Sequence, residues 1–122
     1  MGRMKHINLN TMSNRNRDSG IRLELDIIHL LTEMGYDAVS SRSESRRADA
    51  AGIDIISDYP FKIQCKSGVN QPNIYKLLTE TEADIIIYRK QKKKGKRFYK
   101  QGDYAIVPLE DFFNLTQKAN KT

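Results

Sequence analysis

The run "ADIIIYRK", residues 83–90, constrains this chain more than any other stretch. Its apolar residues are consecutive rather than alternating. A strand made from it hides both of its faces, as strands do inside a sheet that carries helices. The segments around it supply the rest of such a sheet. From Ser19 onward, Ile21, Leu25, Ile28 and either Leu31 or Thr32 recur at helical spacing, with Leu23, Ile27, Leu30 and Met34 widening the apolar face. Gly35 is placed to end that helix at about residue 34. "DAVSSR" reads as a short strand and "SESRRADAAG" as a polar loop. "IDIIS" (53–57) and "FKIQCKS" (61–67), joined by the turn-like "DYP", read as a hairpin. "QPNIYKLLTETE" predicts a second helix, with its proline early. After residue 90 a hairpin closed by Gly102-Asp103 is expected, then a strand at "YAIVP". A final helix follows at "LEDFFNLTQKA", with Leu109, Phe112 and Phe113 turned inward. The order is α-β-β-β-α-β, then a strand and a helix. It implies one α/β domain, a mixed sheet flanked by helices. Residues 1–17 are expected to be a flexible basic arm, 18–118 the domain and 119–122 a tail.

A chain of 122 residues suits one modest core. No stretch nears the roughly 18 apolar residues that would predict a membrane span, and no apolar leader opens the sequence. The single cysteine excludes an internal disulfide, so a cytoplasmic, intracellular setting is expected. The charge is more telling. Residues 89–100, "RKQKKKGKRFYK", hold eight Lys or Arg and no acid, so the remainder of the chain carries −2 against a total of +6. A local basic block beside Phe98 and Tyr99 points to a polyanion, most often nucleic acid. The alternative is a solvated loop that only keeps the protein soluble.

The stretch "FKIQCK" alternates Phe61, Ile63 and Cys65 with Lys62, Gln64 and Lys66. Gln64 and Lys66 therefore share one face of the strand and Cys65 takes the other. Asp54 lies between Ile53 and Ile55 on the neighbouring strand, where an unpartnered carboxylate is costly. If it faces Gln64 and Lys66, an acid, an amide and an ammonium converge, and Glu24 on the first helix can complete the group. Mg²⁺ takes hard oxygen ligands of this kind: the Asp54 carboxylate, the Gln64 amide oxygen and the Cys65 backbone carbonyl. Metal-bound water at such a site can attack a phosphodiester, and Lys66 can stabilise charge on the phosphate. The alternative is an Asp54–Lys66 ion pair that only staples the hairpin.

In order, Gly20 and Glu24 in "GIRLELDIIHLLTEMGYDAV", Asp54 in "GIDII", and Gln64 and Lys66 in "IQCK" resemble the PD-(D/E)xK nucleases. Within them the chain is most similar to the archaeal-type Holliday junction resolvases, which also occur in phages. The similarity runs from about Gly20 to Val107, and "YAIVPLEDFF" is similar to the closing strand and helix of that family. The resemblance implies a restriction-endonuclease-like fold and a Mg²⁺-dependent homodimer, with Mn²⁺ as a substitute. It implies symmetric cutting of a four-way DNA junction, with no membrane and no small-molecule substrate. By matching position, Glu24 would hold the metal or its waters, Asp54 would be the principal ligand and Lys66 the catalytic lysine. Gln64 stands where the family has Glu, which removes one negative charge. Ile53 replaces the motif's proline. Ser43 matches the family's phosphate-contacting serine, with Ser40, Ser41 and Ser45 nearby. Phosphate contacts are expected from Arg15 and Arg17 of the arm, from Arg42, Arg46 and Arg47, and from Lys92, Lys93 and Lys94 of the basic block. Other nucleases of the same fold, and a non-catalytic basic module, remain open.

Overall fold

A computed structural model describes residues 19–41, 47 and 50–120. The first helix, α1 (19–33), ends as the glycine predicts. Gly35 has φ +97°, and the N–H groups of Tyr36 and Gly35 donate to the carbonyls of Leu31 and Thr32 at 2.9 and 3.0 Å. This paired closure of a helix requires a left-handed residue at Gly35. The strands are β1 (Ala38–Ser40), β2 (Ile55–Ser57), β3 (Ile63–Gly68), β4 (Ile85–Lys94) and β5 (Arg97–Ile106). Helix α2 (Ile74–Glu80) lies between β3 and β4, and α3 (Leu109–Asn120) follows β5. The predicted element order is thus present.

The sheet has five strands in the order β1-β2-β3-β4-β5. β3 and β4 are parallel and the other neighbours antiparallel. The mixed pattern follows from α2, because parallel neighbours need a crossover between them. β4 is an interior strand, between β3 and β5, and Ile85, Ile86 and Tyr88 are buried, as its unbroken apolar run requires. On one face of the sheet Leu23, Ile27 and Leu31 of α1 pack over Ile55, Ile63 and Cys65. On the other face Ile74 of α2 and Tyr88, Lys90, Tyr104 and Ile106 line a cleft of about 450 Å³. Among the described residues no helix is long and apolar enough to cross a membrane.

Four expectations change. The buried stripe of α1 is Leu23–Ile27–Leu31, while Leu25, Leu30 and Met34 are exposed. Spacing alone cannot choose between two overlapping apolar stripes; the sheet selects the one it covers. The segment after β1 is not simply a loop, because Ser41, Arg47 and Ala50 are helical and the Ala51 N–H donates to the Arg47 carbonyl at 3.0 Å. Alanine and arginine are good helix formers, which accounts for it. The basic block closes at Gly95 (φ +64°) and Lys96 rather than at Gly102-Asp103, which pair with Lys90 and Arg89 inside β5. Finally, Leu109, Phe112 and Phe113 do not turn inward. They are 67, 49 and 55% exposed. The arm at 1–17 lies outside the described residues.

Arg89 ties three elements together. Its guanidinium donates to both carboxylate oxygens of Asp103 on β5 at 2.8 and 2.9 Å, and to Asp26 of α1 at 2.8 Å. Arg89 is only 6% exposed. Its hydrogen bonds, reinforced by one from Lys100, hold the Asp103 carboxyl below its ordinary value. A depressed carboxyl adds stability above its unfolded pKa and loses it as pH falls through the folded value. Asp103→Asn should therefore cost about 2 kcal/mol at neutral pH. The variant should also lose less stability than the parent between about pH 5 and pH 2. Thermal melts across that range measure both effects.

Candidate functional site

The site lies where β2 and β3 part. Ile55 pairs with Ile63, and the Asp54 N–H donates to the Ile63 carbonyl at 2.9 Å. There the ladder of backbone bonds stops. The next β3 donor on that edge is the Cys65 N–H, and it meets the Asp54 carboxylate, Oδ2, at 2.7 Å. A side chain thus takes the place of a missing ladder carbonyl. The bond is charge-assisted and short, which fixes the carboxylate in direction. In a strand, the N–H and C=O of one residue project to the same edge. The Cys65 carbonyl therefore projects toward the edge that β2 has left.

On Asp54's other flank, the Ser41 N–H donates to the Asp54 carbonyl at 3.0 Å. This continues the register of Ser40 opposite Ile55. Ser41 thus stands opposite Asp54, and Gln64 follows Ile63 on the strand beyond. Two oxygens here, Ser41 Oγ and Gln64 Oε1, are buried without a hydrogen-bond partner among the described residues. A buried polar atom left unpaired costs about 1–3 kcal/mol. Native proteins keep few of them, most often where a water, ion or ligand completes the site.

Gln64 is held from above. Its Nε2 would lie 3.5 Å from a Cβ placed on Gly52, whose φ is +80°. The same Cβ would meet the Thr81 side chain at 2.6 Å. The Glu82 N–H donates to the Ala51 carbonyl at 2.9 Å. The turn before Asp54 therefore closes against the end of α2, with the Gln64 amide beneath it.

The alternation read from "FKIQCK" is present. Cys65 faces α1, while Gln64 is buried on the opposite face and Lys66 is exposed there. Lys66 lies opposite Tyr88 of β4. Glu24 is 4% exposed on α1. Burial pushes the Cys65 thiol up, and the negative charges of Asp54 and then Glu24 push it further. Both carboxylates therefore act on one point of β3. Gln64 and Lys66 lie on the other face of β3.

Among the described residues no three His, Cys, Asp or Glu side chains gather to hold a metal ion. The acids here number two, and the further oxygens come from an amide and a backbone. Of the expected phosphate contacts, Arg47 and Lys92, Lys93 and Lys94 are exposed, while Arg15, Arg17, Arg42, Ser43 and Arg46 lie outside the described residues. Arg89, the first cation of the basic block, is consumed in the core. Reasoning from sequence named Ser41 only as a neighbour of Ser43 and passed over Gly52. The signal for Ser41 was its place opposite Asp54 once "AVS" and "IIS" are paired; for Gly52 it was a glycine just ahead of a buried acid. Compared with family models, curated proteins and solved structures, the chain matches none.

Two outcomes follow. Gly52→Ala meets both a left-handed backbone and the Thr81 side chain. It should cost at least about 1–2 kcal/mol in denaturant unfolding. Cys65 should resist iodoacetamide in the folded protein at pH 8 and react within minutes once unfolded, because its thiolate is suppressed. Mass spectrometry of the alkylated chain reads the difference.

Proposed function

We propose that this chain is a Mg²⁺-dependent, structure-selective endodeoxyribonuclease with a restriction-endonuclease-like fold, acting on four-way DNA junctions as a homodimer. The observation that carries the reading is the Asp54 carboxylate, fixed on the Cys65 N–H at 2.7 Å where the sheet opens. Gln64 and Lys66 stand on the adjoining strand and Glu24 comes from α1. The unpaired Gln64 Oε1 fits a hard divalent cation. Asp54, Glu24, the Gln64 amide and the Cys65 carbonyl are the groups that would hold it. When bound, such an ion lowers the pKa of a coordinated water and offsets charge on the phosphate.

The chain's own residues do the rest. Asp54 is oriented in advance by a backbone donor, so little reorganisation is needed when the site fills. Lys66, exposed beside the buried Gln64, brings an ammonium to the non-bridging oxygens of a phosphodiester. Arg47 and the exposed lysines 92–94 supply phosphate contacts that read backbone shape rather than sequence. Two symmetric cuts require two sites, hence a second copy. The exposed Leu109, Phe112 and Phe113 of α3 are the surface we assign to that contact.

A second reading is favoured by one observation: no three-residue cluster of acids, histidines or cysteines gathers here among the described residues. On that reading the chain is a basic module that binds nucleic acid without cutting it.

The deciding measurement incubates labelled four-way junction and linear duplex with the protein, with and without Mg²⁺. Junction-preferring, Mg²⁺-dependent paired nicks are expected. Asp54→Ala and Lys66→Ala should each lower the cleavage rate at least about a hundredfold while binding persists. Cleavage by Asp54→Ala at the parental rate removes the site. Binding without hydrolysis under any divalent ion establishes the second reading. Gln64→Glu should tighten Mg²⁺ binding, read by calorimetry without DNA, because it adds a negative ligand.

A further inference from the structure

The β4–β5 ribbon outruns the rest of the sheet. β3 accompanies β4 only as far as Gly68 opposite Lys90, so Gln91–Lys94 and Arg97–Lys100 form a two-stranded arm. Its side chains sort by register. Tyr88 lies opposite Tyr104 and Lys90 opposite Gly102. Tyr88, Lys90 and Tyr104 line the cleft on the α2 face, the face that also carries Lys66. One extra residue in β5, Gln101, interrupts the pairing between Lys90 and Gln91. Beyond it Lys92 pairs with Tyr99 and Lys94 with Arg97, on the α2 face again.

The opposite face carries Arg89, Asp103 and Lys100, joined by ion pairs, then Lys93 over the Phe98 ring at 5.8 Å. The charge is therefore segregated. On the α1 face the cations are largely matched by Asp103 and Asp26. On the α2 face Lys66, Lys90, Lys92, Lys94 and Arg97 meet no acid from the ribbon.

The same face carries aromatic rings that stay open. Tyr104 is 57% and Tyr99 48% exposed. Tyr104 has a seat. A Cβ on Gly102 would meet its ring at 3.2 Å and its hydroxyl at 3.0 Å. The ring thus lies back along the strand over a residue with no side chain. A glycine inside a strand often marks such a close approach.

We infer that the α2 face of the ribbon is a binding track for an unpaired nucleic-acid strand, with bases stacked on Tyr104 and Tyr99 and phosphates on Lys92, Lys94 and Arg97. Open rings interleaved with unmatched cations are what single strands need, since every base has a stacking face and every nucleotide a charge. The interior of a duplex hides its base faces and gains only from the cations. The inference deepens the proposed function, on which its biological setting rests: the track begins at Lys66 and takes a strand whose pairs open at the branch point. The binding itself does not require that the site cut.

The experiment is fluorescence anisotropy with labelled oligothymidylate and with a duplex of equal length, on the full chain. Tyr99→Leu and Tyr104→Leu keep apolar bulk and remove the stacking face. Each should weaken oligothymidylate binding about tenfold and duplex binding far less. Gly102→Ala, which pushes the Tyr104 ring off its seat, should act as Tyr104→Leu does. Phe98→Leu, on the opposite face, should stay within about twofold. Lys92→Ala with Lys94→Ala should reduce the salt dependence on the single strand by about 0.7 per cation removed. Circular dichroism of each variant checks folding. Equal losses for Phe98→Leu and Tyr99→Leu, or none for either tyrosine, overturn the inference. Junction cleavage without tyrosine-dependent single-strand binding leaves the nuclease reading intact and removes the track. Tyrosine-dependent binding with no cleavage does the reverse.

Discussion

The hydrogen bond from the Cys65 N–H to the Asp54 carboxylate is the interaction on which the rest of the site depends. It does two things that oppose each other in most proteins. It satisfies a β-sheet donor, as a ladder bond would, and it holds a charged group at the sheet's edge. The helix α1 then supplies apolar cover to the side chains just beside it, so the carboxylate sits between a dry face and a wet one. A ladder carbonyl in its place would extend the sheet by one pair and leave the edge with nothing to offer a ligand.

This division runs along the whole of β3 and β4. On the α1 side, Ile55, Ile63 and Cys65 form one continuous core, and Arg89 is accepted only because Asp103 and Asp26 match it. On the α2 side Ile86 and Tyr88 are buried as well, but there an amide oxygen is buried without a partner among the described residues, an ammonium stands exposed and lysines continue outward. Both faces hold the fold together, while the unmet chemistry gathers on one. A sheet with one relaxed face and one demanding face is a rigid support for polar groups that have no structural task.

Much of this was legible in the residues. The order of elements followed from periodicity, because α1, the apolar β4 run and the alternating β3 each carry an unambiguous signature. The opposition of Gln64 and Lys66 to Cys65 followed from the period of two. What stayed hidden was long-range. Which stripe of α1 is buried depends on a sheet whose position no local pattern encodes. The ribbon turn moved from Gly102 to Gly95 because both glycines satisfy local turn chemistry, and only pairing across the strands chooses. Leu109, Phe112 and Phe113 have the spacing of a buried face, yet the fold leaves them open. Spacing reports that a face wants cover, not whether the same chain supplies it. At the site, the acid was legible as an anomaly in an apolar strand, whereas the orphan oxygens of Ser41 and Gln64 arise only from packing.

The extra residue at Gln101 carries a consequence for how this ribbon can vary. Because strand side chains alternate, an extra residue held as a bulge absorbs one step of the alternation, and everything beyond it keeps the face that pairing with β4 gives it. Were Gln101 paired in regular alternation instead, Phe98 and Lys100 would share the face of Tyr104, and Tyr99 and Arg97 would join Asp103. A single-codon loss of Gln101 would leave both surfaces of the outer arm where they are, because Gly102 and Lys100 would then alternate without the bulge. The bulge thus decouples the length of β5 from the arm's choice of face.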